Sequence, residues 1–306
     1  YVAGADTLLG AALLRLLREQ GYTNLLDDGH LDLTNAAAVA QFFSASLPEF
    51  VFVTAGKSGG IAANQNYPAT LMWDNLAIIC NLTRMALACK VEKLLYFASS
   101  CSYPRLSEQP MHPSALLTGA LEPTNEPYAV AKIAGMKLCE SFRREYGANF
   151  ISAIPANFFG PGDDFSLENS HVVSALIRKM HDAKVKNAEA VEIWGTGNPR
   201  REFVFVDDLA AAAIHAMNHY EGDEPLNLGG GVDISIRDLA FTIKEVVAYR
   251  GELCFNSNRP DGMPIKILDA EPLLSLGWQP KIDFQTGLVR TYEWFLAHCD
   301  GSRLSS

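Results

Sequence analysis

The chain has 306 residues, 48% of them hydrophobic and 20% charged, enough apolar surface for a large core or two domains sharing an interface and no signature of disorder. A formal net charge of −10 argues against a nucleic-acid groove or an anionic membrane surface, and no apolar run approaches the ~20 residues of a membrane span. Six cysteines at 80, 89, 101, 139, 254 and 299 show no CxxC and no regular spacing, a pattern that suits a reducing cytoplasm better than a disulfide framework.

In chain order, YVAG (1–4) reads as a strand already under way, so the sequence is expected to continue upstream of Tyr1. Leu8, Leu9, Ala12, Leu13, Leu16 and Leu17 then form a helical apolar stripe that Gly21 stops. Between them lies the loop Gly4-Ala5-Asp6-Thr7-Leu8-Leu9-Gly10. Glycines in such a loop let backbone N–H groups approach a pyrophosphate at the positive end of a helix, although the middle position here is threonine and a plain tight turn would look alike. Apolar strand-like runs follow at 50–54, 93–99 and 150–156, with helical segments near 35–44, 68–90 and 127–146. Near-continuous apolar strands alternating with helices predict an α/β fold, a Rossmann-like doubly wound parallel sheet.

After Pro155 the texture changes, with loops rich in Gly, Pro and Asn at 157–170, 195–200 and 256–264. One further unit, EFVFVDDLAAAAIHAM (202–217), reads as a strand feeding a helix capped by Asp207. The expected organisation is a dinucleotide-binding domain over 1–156 plus about 202–228, and a smaller mixed substrate domain over 157–201 and 229–306. Ligands of open parallel sheets sit beyond the carboxyl ends of the strands, and FASSCSYP (97–104) is such an end.

Tyr128-Ala-Val-Ala-Lys132 puts a phenol and an ammonium on one helix face. A phenol with a reference pKa of about 10 is a poor acid or base at neutral pH, and a nearby ammonium is expected to favour its phenolate. Alone the pair reads as a surface Tyr/Lys contact; one element after the strand-end Ser99 it reads as a reductase site. His215 and His219 share a helix face without a third ligand, so no metal site is expected.

These motifs, with KSGGIAANQNYPA (57–69), SSCSYP (99–104), LEPTNEPYAVAKIAGMKLCESF (121–142), NSHV (169–172), WGTGNPRREFVFVDD (194–208) and RPDGMPIKILD (259–269), resemble the extended short-chain dehydrogenase/reductase family, most closely its branch that epimerises and reduces GDP-4-keto-6-deoxyhexoses. The resemblance implies that Ser99, Tyr128 and Lys132 form the reductase triad, and that Cys101 and His171 are the epimerisation base and acid. It further implies cofactor contacts from Gly4, Thr7, Gly10, Asp32, Leu33, Ser99, Lys132, Pro155, Asn157 and His171, and GDP contacts from Lys179, Trp194, Arg201 and Asp261. It implies a homodimer built from helices of the first domain, a GDP-sugar substrate and a GDP-fucose product. Two alternatives stay open: a relative acting on another GDP-4-keto sugar, a deoxyheptose or dideoxyhexose, and a nucleotide-sugar-binding protein without reductase activity.

The chain departs from the family at the far end of the cofactor. NADP users of the family carry arginines in the glycine loop and after the second strand; here Asp6, Leu26 and Asp28 stand there. Carboxylates repel a 2′-phosphate and accept from a free 2′-hydroxyl, so of NADPH and NADH the sequence favours NADH.

Overall fold

The computed structural model describes residues 1–29, 31–166, 170–259 and 261–299. β1 (Val2–Ala3) runs into the glycine loop, and Thr7 N-caps α1 (Leu8–Glu19), its hydroxyl accepting from Gly10 N at 3.0 Å. The two glycines are demanded by packing. Gly4 has φ +83°, and a Cβ there would lie 2.6 Å from the Ala55 backbone; a Cβ on Gly10 would lie 2.0 Å from the Gly4 carbonyl oxygen. Side chains at either position would push α1 off the sheet.

The expected second strand is reduced to one bridge, Val2 to Asp27, with Val2 N donating to Leu26 O at 2.9 Å. α2 (Ala36–Ser46) is capped by Asn35, and β2 (Phe50–Val53), α3 (Ile61–Asn66), α4 (Pro68–Ala88), β3 (Lys93–Phe97), α5 (Glu126–Tyr146) and β4 (Phe150–Pro155) follow. α2, α4 and α5 cover the 35–44, 68–90 and 127–146 segments expected to be helical.

β5 (Asn157–Phe159), α6 (Val172–Val185), β6 (Ala190–Trp194) and β7 (Arg200–Phe205) leave the first unit. α7 (Val206–His219) and β8 (Leu226–Leu228) return to it, and β9 (Val232–Ser235), α8 (Ile236–Val247), β10 (Glu252–Asn256), β11 (Ile265–Lys266), α9 (Glu271–Ser275) and α10 (Phe284–His298) complete the described chain. The main sheet runs β1-β2-β3-β4-β8, all parallel, with α1 and α7 packed together and α4 packed on α2 and α5. This is the Rossmann-like α/β sheet that the apolar strand runs predict.

Residues 202–205, placed from sequence with the first domain, pair instead in the smaller sheet: β7 lies between β5 and β11 and takes β9 antiparallel. Its core is aromatic, with Phe203, Phe205 and Phe284 ringing Phe159 at centroid distances of 5.4–6.4 Å. Asp207 does not cap α7. Phe205 holds the N-cap position without a side-chain bond, while Asp207 sits in the first turn and pairs with Arg15 of α1. Its carboxylate is still at the positive helix end, but its partner is a side chain rather than the orphan amides.

Candidate active site

β3 ends at Phe97, and the chain turns through Ser99 (φ −151°, ψ 145°) into one 3₁₀ turn, Ser100–Ser102. The Ser99 hydroxyl accepts from Cys101 N at 3.2 Å. That bond fixes the turn and aims the Cys101 side chain across the strand end. The sulfur accepts from Asn125 Nδ2 at 3.2 Å and from Lys266 Nζ at 3.4 Å. Burial pushes the thiol up, but the Lys266 ammonium and the hydrogen bonds from Ser99, Lys266 and Asn125 outweigh it and leave Cys101 below the ordinary thiol range. Burial lowers Arg201, and negative charge on the Cys101 sulfur is the largest influence opposing that shift.

Tyr128 and Lys132 stand one turn apart on α5, beside this turn. The Lys132 ammonium donates to Phe97 O at 3.0 Å and lies 5.2 Å from the Tyr96 ring centroid and 5.8 Å from that of Tyr128. Burial depresses it to about 8. The expectation that Lys132 draws Tyr128 toward phenolate is corrected by the structure. Burial drives Tyr128 upward, the Cys101 thiolate adds to the rise, and only the Ser99 hydroxyl pulls the other way. The lysine points its charge at a strand-end carbonyl rather than at the phenol oxygen. Tyr128 is therefore a protonated donor at neutral pH.

His171 occupies the N-cap of α6 and is exposed; it acts electrostatically on the half-buried Asp163, which also accepts from Ser174 Oγ. Among the described residues no hydrogen bond joins His171 to Cys101, and Asn169 of the same motif lies outside them. The residues expected to contact GDP, Lys179, Trp194, Arg201 and Asp261, lie in the smaller unit. Trp194 is 51% exposed at the end of β6, with Lys179 Nζ 5.3 Å and the Arg259 guanidinium 4.8 Å from its ring centroid. Asp261 accepts from Thr196 N at 2.7 Å and Thr196 Oγ1 at 2.9 Å, so its carboxylate also fixes the loop after Trp194. Arg201 donates to Arg200 O at 2.8 Å and feels the Asp261 charge.

At the glycine loop the Thr7 hydroxyl donates to Gly4 O at 2.7 Å, directed into the turn. Asp28 accepts from Gly4 N at 3.0 and 3.1 Å and from Ala5 N at 3.3 Å. Asp32 is exposed and caps Thr34, whereas the Leu33 side chain belongs to the core and its carbonyl accepts from Asn81. Pro155 is buried opposite Leu228, and Asn157 Nδ2 donates to Glu202 O at 3.0 Å. His215 Nε2 donates to Leu276 O at 2.8 Å.

Sequence reasoning missed Lys266, Asn125 and Arg259. Lys266 and Arg259 lie within RPDGMPIKILD and Asn125 within LEPTNEPY, so the signal was a motif match. Nothing local says that a lysine 165 residues downstream reaches the Cys101 sulfur.

The arrangement can remove a proton next to a carbonyl with the thiolate, hold the resulting oxyanion with Ser99 and Tyr128, and protonate that oxygen from Tyr128. The NAD dependent epimerase/dehydratase family matches residues 1–229. A GDP-L-fucose synthase 1 of Arabidopsis thaliana is 49% identical over 298 residues, 97% of this chain and 92% of that protein. Among solved structures, a GDP-6-OMe-4-keto-L-xylo-heptose reductase from C. jejuni superposes with a TM-score of 0.92 at 35% identity, covering 97% of each chain. A GDP-L-fucose synthetase from Naegleria fowleri bound to NADP gives 0.88 at 26% identity, over 97% of this chain and 93% of that one. With the family model matched over residues 1–229 and a relative 49% identical over nearly its whole length, the chain belongs to the NAD dependent epimerase/dehydratase family.

Proposed function

We propose that the chain is a GDP-L-fucose synthase: it epimerises carbons 3 and 5 of GDP-4-keto-6-deoxymannose and reduces the carbon-4 ketone with NAD(P)H. The observation that carries this reading is the cation-backed Cys101 sulfur next to Ser99 and Tyr128, since a reductase alone needs no base there. A ketone at carbon 4 acidifies the hydrogens on carbons 3 and 5. Cys101 takes a proton from one face, the electron pair moves onto the ketone oxygen, and Ser99 and Tyr128 donate to it. His171, at the N-cap of α6, returns a proton from the other face.

The residues beside α1 and β3 fit a dinucleotide. Gly4 and Gly10 give the close turn that would hold the pyrophosphate, Lys132 would hold the nicotinamide ribose, and Asp28 and Asp32 would take the adenosine ribose. When bound, the reduced nicotinamide supplies a hydride to carbon 4, and Tyr128 gives its proton to the oxygen. With carboxylates and no Lys or Arg over 4–10 or 23–33, the adenosine end favours NADH over NADPH.

Lys179, Arg201 and Arg259 suit a diphosphate, and Trp194 offers a flat face for guanine. α4 and α5 pack side by side and leave Trp73 71% and Val130 37% exposed, which supports a homodimer through these helices. No helix among the described residues is long and apolar enough to cross a membrane, and a working thiolate suits the reducing cytoplasm where we place the enzyme.

A second reading, reduction of a GDP-4-keto-heptose, is favoured by the TM-score of 0.92 to the C. jejuni heptose reductase. Incubation with GDP-4-keto-6-deoxymannose, with and without reduced cofactor, followed by product NMR, separates the two. GDP-fucose is expected; an unchanged sugar beside an intact fold would overturn the reading.

A further inference from the structure

Lys266 is 9% exposed, a rare position for an ammonium, and it contacts the Cys101 sulfur from the other structural unit. Its backbone is held on three sides. β11 pairs with β7 so that Lys266 stands opposite Arg201, Ile267 N donates to Gln109 Oε1 at 2.9 Å, and Leu268 N donates to the buried Glu202 carboxylate at 2.9 Å. Glu202 also accepts from Gly230 N and Gly231 N, which ties the same segment to the loop after β8. Among the described residues no salt bridge gives Lys266 a carboxylate. A buried ammonium needs an anion or a cage of acceptors, and the group in contact with it is a sulfur.

We propose that Lys266 is the positioning residue that keeps Cys101 ionised at neutral pH, with Asn125 fixing the direction of the sulfur. This rests on Cys101 being the epimerisation base. The other groups facing the sulfur are Arg201 from β7, which adds positive charge, Tyr128 from α5, and Ser99 in its own turn; Glu122, which acts on Arg201, pairs with Arg105 at 3.3 Å. Of these only Lys266 delivers a proton donor and a full charge to the sulfur together. The base is therefore shared: β3 supplies the thiol and β11 the charge, so it forms only where the two units are docked. In the step itself a substrate C–H bond breaks, an S–H bond forms, the electron pair passes to the ketone oxygen, and Lys266 is left beside a neutral thiol.

The test is the pH profile of Cys101 alkylation by iodoacetamide, followed on the Cys101 peptide by mass spectrometry because five other cysteines are free. Only the thiolate reacts, so the midpoint of the profile reports its ionisation. In Lys266→Met the midpoint is expected to rise by at least about one pH unit, roughly a tenfold loss of thiolate at pH 7. Lys266→Arg is expected to restore most of it, which a purely structural role would not produce. An unchanged midpoint in Lys266→Met, with a wild-type circular dichroism spectrum, overturns the proposal. If that variant fails to fold, Lys266→Gln serves with the same two outcomes. The probe needs no sugar. Loss of carbon-3 and carbon-5 deuterium exchange in every form, beside a shifted midpoint, would sink the epimerase reading and leave the Lys266 assignment standing.

Discussion

The Asp28 carboxylate grips the backbone N–H of Gly4, with one oxygen at 3.0 Å and the other at 3.1 Å. This contact brings the residue after the vestigial second strand onto the glycine loop. Burial, the largest influence, raises its pKa, the Gly4 and Ala5 amides oppose the rise, and Asp6 adds to it. A ribose with a free 2′-hydroxyl can donate to such a carboxylate; a 2′-phosphate meets repulsion from it. Arg15, the first arginine after the glycine loop, is held by Asp207.

NADH is accordingly expected to bind at least as tightly as NADPH, in contrast to the NADP-bound relative from Naegleria fowleri. A charge-assisted hydrogen bond is worth about 1.5–3 kcal/mol, and about 1.4 kcal/mol is tenfold in affinity. Asp28→Arg is expected to move the ratio of dissociation constants toward NADPH by about tenfold or more. Fluorescence titration of both reduced cofactors measures it, and a clearly tighter NADPH in the wild type would refute the assignment.

Cys101→Ser is expected to fold normally and to lose solvent-deuterium incorporation at carbons 3 and 5 of the sugar by roughly 10²–10⁴-fold. A serine in this turn keeps a small polar side chain, yet its hydroxyl stays protonated even beside Lys266. Reduction of the unepimerised ketone is expected to persist, because Ser99, Tyr128 and Lys132 are untouched. Exchange at the wild-type rate would return Cys101 to a packing role.

The parallel sheet was legible because buried strands on both faces read as plain apolar runs, and the placement of Ser99 and Cys101 just past a strand end and of Tyr128 and Lys132 on one helix was legible from their spacing. The misreadings have one cause. Asp207 looked like a cap, but its partner comes from α1; Tyr128 looked activated, but the direction of the Lys132 side chain depends on the Phe97 carbonyl; residues 202–205 looked like a strand of the first sheet, but their pairing partners lie at 157–159, 232–235 and 265–266. In each case the deciding partner is remote in sequence and carries no local signal. Lys266 is the same problem in its sharpest form.

Tyr128→Phe is expected to abolish hydride transfer while leaving part of the deuterium exchange. The phenol keeps its proton through the neutral range, so it can donate to carbon-4 oxygen as hydride arrives, whereas Ser99 alone can still hold the enolate. Single-turnover loss of reduced-cofactor absorbance is the measurement. Near-wild-type loss in the variant would show that another group supplies the proton.

Lys132 makes a separate prediction about stability. It is buried, and its pKa falls from the model-peptide value of 10.5 to about 8. Between these values the unfolded chain binds more protons than the folded one, so stability rises with pH across that window; below about pH 7 both states hold the proton and the dependence vanishes. The full rise amounts to about 3 kcal/mol at most. Other groups work against it. Tyr96, Tyr103 and Tyr128 are raised above 10 by burial and Cys139 to about 12, so they lower stability as the unfolded chain begins to ionise near pH 9–10. The clean measurement is therefore a difference: urea unfolding of wild type and Lys132→Met at pH 7, 8, 9 and 10. The wild type is expected to gain on the variant by about 2 kcal/mol between pH 8 and pH 10, and by only a few tenths, roughly, from pH 7 to pH 8. Curves that stay parallel throughout would mean that Lys132 keeps its ordinary basicity inside the site, held there by acceptors beyond the Phe97 carbonyl.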